Sequence, residues 1–131
     1  MGQPAAKQGD QITGVDTHII MIPTPGGPVP TPLPHPFSGM IDGNLSTSVK
    51  IMGMPAATVN STATNMPPHI PQGGSFQMPP SNRGTIMLGS MTVRINSQGA
   101  ARNGDTATTC NDPADMPVGT VIAVGTVMIG G

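Results

Sequence analysis

Between residues 23 and 36 the chain reads PTPGGPVPTPLPHP, a stretch that constrains the fold more than any other. Proline holds φ at about −65° and has no N–H to donate, so no helix can run through it. The stretch is expected to lie extended over the surface, as a stiff polyproline-like loop. Prolines and glycines recur along the rest of the chain, for totals of 16 and 18 among 131 residues, and they interrupt the windows in which a helical period could develop. Short strands and turns remain. The expected class is all-β, with no substantial helix.

Such a composition would also suit a disordered segment, but disorder usually goes with high net charge, and here the net charge is −1. Charged residues make up 8 %, with 5 Lys and Arg in all, too few for a nucleic-acid surface. With 2 Phe and no Trp or Tyr, order has to come from turns, backbone pairing, a metal or a partner. The length suits one domain, residues 1–131. A single cysteine makes no intrachain disulfide. The N-terminal MGQPAAKQGD lacks the apolar core of a signal peptide, and no stretch approaches the ~20 apolar residues of a membrane span. Synthesis in the cytoplasm, without export by the general secretory route, is expected.

From Ser38 onward the chain repeats itself. SGMIDGNLSTSVKIMG, RGTIMLGSMTVRINSQG and VGTVIAVGTVMIGG each carry a glycine, a short β-branched run, a glycine turn and a second apolar run. Val49-Lys50-Ile51, Val93-Arg94-Ile95 and Val127-Met128-Ile129 have the period of a strand with one buried face. Their valines and isoleucines are expected to point inward, with Lys50, Arg94 and Met128 outward. A second motif overlies the first: Pro4-Ala5-Ala6-Lys7, Pro55-Ala56-Ala57-Thr58 and Gly99-Ala100-Ala101-Arg102. Gly9-Asp10 and Gly104-Asp105 follow the first and third copies.

All three histidines and the one cysteine, His18, His35, His69 and Cys110, form a donor set that fills a tetrahedral zinc shell. His18 and His69 lie at the same offset from Pro4 and Pro55, and Cys110 lies slightly closer to Gly99. Three donors thus sit at matching points of three repeats. His35 falls outside this register; its role rests on residue type and on the prolines that flank it. Taken singly, a loop histidine is usually solvated and a lone cysteine is usually a small buried hydrophobe. Asp16 and Asp112, beside His18 and Cys110, suit solvated turn carboxylates better than ligand-orienting acceptors. The methionines are expected to fill gaps in the interior.

These motifs resemble those of PAAR-repeat proteins, the tips of the central spike in contractile injection machines such as type VI secretion systems and extracellular contractile injection particles. The likeness rests on PAAKQGD at residues 4–10, SMTVRINSQGAARNGD at 90–105 and the closing GTVMIGG, and it spans nearly the whole chain. No copy reads Pro-Ala-Ala-Arg in full, and the segment around His35 is longer than a minimal repeat needs. The resemblance implies a small, three-faced conical β-spike with one zinc pinned at its apex by His18, His35, His69 and Cys110. It implies a structural, membrane-piercing part without catalytic residues, whose base caps a trimeric β-helical spike protein, one copy per spike. Such a part meets the target-cell envelope transiently and is secreted or delivered with the particle.

Two other classes remain. A small metal-storage or sensor module needs the same donors in a labile site. A metal-dependent enzyme needs an open coordination position and a nearby general acid or base; the sequence has no Glu, and its few Asp form no recognisable constellation. Iron is an alternative to zinc, since imidazole and thiolate tolerate several ions.

Overall fold

The computed structural model describes residues 2–130; Met1 and Gly131, the last residue of the closing GTVMIGG, lie outside it. Among the described residues all regular structure is β. In chain order the strands are β1 (Gln3–Pro4), β2 (Gln11–Ile22), β3 (Val29–Gly43), β4 (Lys50–Ile51), β5 (Met54–Pro55), β6 (Thr62–Asn65), β7 (Ser75–Phe76), β8 (Arg83–Ile86), β9 (Arg94–Ile95), β10 (Gln98–Gly99), β11 (Thr106–Thr109), β12 (Met116–Ile122) and β13 (Met128–Ile129). No helix among them is long and apolar enough to cross a membrane.

Six strands close on themselves. Antiparallel pairing runs β12–β11–β8–β6–β3–β2, and β2 pairs in turn with β12, while β7 adds to β2 beyond the ring. Strand periodicity decides what the ring encloses, because alternate side chains go to opposite faces. Ile12, Phe37, Ile41, Ile86 and Val121 are buried inside it with Ala63 and Ala107.

The three alanine motifs form a second closed circuit. The N–H of Ala6 donates to the carbonyl of Ala101 (2.9 Å), that of Ala101 to Ala57 (3.1 Å) and that of Ala57 to Ala6 (3.0 Å). Residue pairing follows the same cycle: Ala5 with Arg102, Lys7 with Ala56, Thr58 with Ala100. Alternation turns the second alanine of each pair toward the large core and the first toward a smaller cluster with Ile51, Ile95 and Ile129. A methyl is what fits where three chains meet at hydrogen-bond distance.

Each motif then turns in the same way. The N–H of Lys7, Thr58 and Arg102 donates to a side-chain oxygen three residues on, in Asp10 (3.0 Å), Ser61 (2.9 Å) and Asp105 (2.7 Å). The residue before that acceptor has positive φ: Gly9 at 93°, Asn60 at 78°, Gly104 at 89°. Glycine adopts that region without penalty and asparagine tolerates it better than most, which is why the second copy manages without Gly.

The second apolar runs form small hairpins. β4 pairs β5 and β9 pairs β10 across two-residue turns with positive φ at Met52 and Gly53, and at Asn96 and Ser97, the primed geometry that matches strand twist. The third run forms an equivalent antiparallel pair without a connecting turn, β13 lying on β1 from the opposite end of the chain. Ile51, Ile95 and Ile129 are buried and Lys50, Arg94 and Met128 face out, as the period predicts. The valines do not follow: Val49, Val93 and Val127 are 36 %, 37 % and 40 % exposed. Three alanines and three isoleucines already fill the small cluster, and the valines overhang it.

The proline-rich stretch departs from the expected loop. Turn structure covers only its start, and from Val29 it is strand, paired with β2 over the unbroken register Ile22↔Val29 to Gln11↔Met40. Pro30, Pro32, Pro34 and Pro36 occupy alternate positions, so all four fall where the ladder requires no N–H toward β2. Their rings are exposed, while His35 and Phe37 point to the interior. The methionines also depart from expectation. Most are exposed, Met91 at 84 %, because isoleucine and alanine already fill the ring.

Candidate metal centre

The β2–β3 ladder sets out the first donors. Asp16 stands opposite His35 and His18 opposite Leu33, and alternation places Asp16, His18 and His35 on the inner face. Strand pairing on the other side of β2 covers only residues 11–13, by β12, and 20–21, by β7. The segment after β11 fills the gap between. Asn111 Oδ1 accepts from the N–H of Thr17 (2.7 Å), Asp112 Oδ2 accepts from that of Ile19 (2.8 Å), and the N–H of Asp112 donates to the carbonyl of Thr17 (2.9 Å). These bonds fix Cys110, one residue before Asn111, against Asp16 and His18. His69 comes from the segment between β6 and β7, its N–H donating to Asn82 Oδ1 at 2.8 Å.

Asp16, His18, His69 and Cys110 are buried together, each offering one ligand atom, and these atoms all lie within 4.8 Å of one another. The His18, His35 and His69 rings form a triangle with centroids 5.0–5.4 Å apart. Both phenylalanines of the chain pack on them: Phe76 at 5.8 Å from His18 and His35, Phe37 at 6.2 Å from His69. The few aromatic rings are thus spent on shielding this cluster.

Asp16 lies at its centre. Oδ2 accepts from His69 Nε2 (2.7 Å) and from the Cys110 thiol (3.3 Å), while Oδ1 accepts from the Thr109 hydroxyl and from Asn111 Nδ2 (3.4 Å). Burial, reinforced by the Asp16 carboxylate, pushes the Cys110 thiol up from 9.0 to about 11, although the backbone N–H groups of Asn82 and Arg83 pull the other way. Burial lowers His18 from its ordinary 6.5, and the opposing pull of Asp112 does not compensate. Asp112 Oδ1 lies 3.5 Å from His18 Nδ1, which makes no hydrogen bond.

Tautomers follow from the partners. His35 Nδ1 donates to the carbonyl of Leu33 (2.9 Å), which leaves its Nε2 lone pair free. Asn65 Nδ2 donates to His69 Nδ1 (3.2 Å), so Nε2 carries the proton given to Asp16. His18 Nε2 lies 3.7 Å from Cys110 Sγ. That separation is close to the edge of about 3.5 Å expected for a tetrahedron with metal–N of ~2.0 Å and metal–S of ~2.3 Å. Imidazole, thiol and carboxylate, buried and within reach of one another, can hold a metal ion.

The four residues expected as donors do come together, but the tightest group has Asp16 in place of His35. Asp16 is fully buried, not a solvated turn carboxylate, and Asp112 is buried as well, at 5 % for its side chain. The alternation of β2 explains the first: with His18 pointing inward, Asp16 must point inward too. Asn65, Asn82, Thr109 and Asn111 also contact the cluster and lie outside the expected donor set. Adjacency to Cys110 was the available signal for Thr109 and Asn111, whereas Asn82 is near His69 only in the fold. No protein-family model matches the chain, and no curated protein matches it.

Proposed function

We propose that the protein is a PAAR-like structural tip, pinned by one zinc ion, that caps the trimeric β-helical spike of a contractile injection apparatus. The observation that carries this reading is the cyclic hydrogen bonding of three alanine motifs in one chain, with a buried donor after each motif, at His18, His69 and Cys110. A chain that repeats itself three times around a circuit can offer one equivalent surface to each subunit of a trimer. The repeat hairpins carry exposed apolar side chains suited to such a contact, among them Met54, Val93, Val127 and Met128.

Zinc suits the donors, with His18, His69 and Cys110 as ligands and His35 or Asp16 completing the shell. When bound it would supply rigidity. Small side chains around a circuit of alanines bury little apolar area, whereas a structural zinc is worth on the order of 10–16 kcal/mol of apparent binding energy. Piercing an envelope calls for stiffness and no chemistry, consistent with a non-enzymatic role.

Mixing the purified protein with the trimeric spike protein of the same cell, followed by mass measurement in solution, tests the reading. One copy per trimer is expected. Absence of any complex at micromolar concentration would sink the spike-tip role and leave a metal-holding β domain.

A further inference from the structure

We propose that the folded protein takes up its metal through a cleft between β3 and the segment after β6, past His35 and His69. The inference rests on the donor cluster being a metal site. The cleft measures about 330 Å³, and its wall includes Pro34, His35 and Pro36 on one side and Met66, His69 and Ile70 on the other. Two of the three clustered imidazoles therefore border a solvent-open space. Asp16, His18 and Cys110, 0–3 % exposed, take no part in its wall. An ion arriving this way meets imidazole first and the two acidic donors last.

The wall suits such a route. It contains no carboxylate, and it includes the exposed thioether side chain of Met66. Exchange of water for thioether and imidazole favours zinc, cobalt or copper over magnesium or calcium. Residues 66–72 pair with no strand; the Met66 N–H to the Ser38 carbonyl (3.2 Å) and the His69 N–H to Asn82 Oδ1 (2.8 Å) tether the segment. Movement of Ile70 would widen the mouth without breaking a ladder bond, the kind of local opening that costs least.

Stripped protein mixed rapidly with Co²⁺, followed by the absorbance of the cobalt–thiolate bond, tests the route. Ile70→Trp should slow both uptake and chelator-driven release by about tenfold, a small change in barrier, and leave their ratio unchanged. Ile70→Ala should speed both. Val15→Trp, on the exposed outer face of β2, should alter neither. Wild-type rates in both Ile70 variants, with folding checked by circular dichroism, would overturn the route. So would uptake that requires unfolding and refolding. Failure of the wild type to bind cobalt by either procedure would instead remove the metal site itself, and the route with it.

Discussion

Asp16 accepts, through Oδ2, a 2.7 Å hydrogen bond from Nε2 of His69, and so links the first repeat to the second inside the donor cluster. The carboxylate is fully buried, and its other oxygen is held by Thr109 and Asn111. Asp16→Asn keeps the shape and removes the charge. Metal affinity, read by competition with a chromophoric chelator, should fall about 10–100-fold, the usual cost of losing a group that binds or orients at a metal. Wild-type affinity would show that the carboxylate does neither.

Elemental analysis of carefully prepared protein should give one zinc per chain. Cys110→Ser and His69→Ala should each lower the occupancy and the melting temperature, because binding energy at a structural site is expressed as folding energy. A chelator should lower the wild-type melting temperature toward that of the variants. Wild type without stoichiometric metal would reduce the four residues to buried polar packing.

The metal-stripped protein should be most stable in a middle pH window. Burial lowers His18 below 6.5, so the unfolded chain binds a proton that the folded one resists; stability is full above that value and falls as pH drops below it. Cys110 is raised from 9.0 to about 11, so the folded chain keeps a proton that the unfolded one releases. Stability is therefore full below 9 and declines as pH rises toward 11. Scanning calorimetry from pH 5 to pH 11 reads both limbs. A flat alkaline limb that is unchanged in Cys110→Ser would contradict the burial of that thiol.

The alanine circuit should be intolerant of volume. Ala57→Val adds two methyl groups where the Ala57 N–H meets the Ala6 carbonyl at 3.0 Å and its own carbonyl meets the Ala101 N–H at 3.1 Å. A loss of about 1–3 kcal/mol is expected from overpacking of this kind, measured by urea denaturation. Ala57→Ser, nearly the same size but polar in an apolar cluster, separates crowding from chemistry. A neutral Ala57→Val would mean that the three motifs are not close-packed.

Much of this architecture is legible in the sequence because its signals are local. Gly-Asp after an alanine pair specifies a turn, and Val-x-Ile specifies a strand face on which Ile51, Ile95 and Ile129 are indeed buried. His18, His69 and Cys110 were recognisable as a set because equivalent repeats carry them. The rest depended on pairing that a single sequence does not display. Whether Pro30 to Pro36 run solvated or in a ladder depends on a partner, β2, whose register assigns the prolines to positions that need no N–H. The burial of Asp16 is hidden for a similar reason. A carboxylate next to apolar and hydroxyl residues reads as solvated until the strand's inward face is known. Asn82 had no local signal, since only the fold brings it to His69.

Carrying three repeats on one chain has a chemical consequence. A homotrimer multiplies every side chain by three, so a site built where its subunits meet holds its donors in identical triplets. Here the copies are covalently joined and free to diverge: one contributes Asp16 and His18, the next His69, the last Cys110. The scaffold keeps the cyclic regularity of a trimer, and the pocket within it acquires a mixed nitrogen, sulfur and oxygen environment that identical subunits could not assemble as single copies.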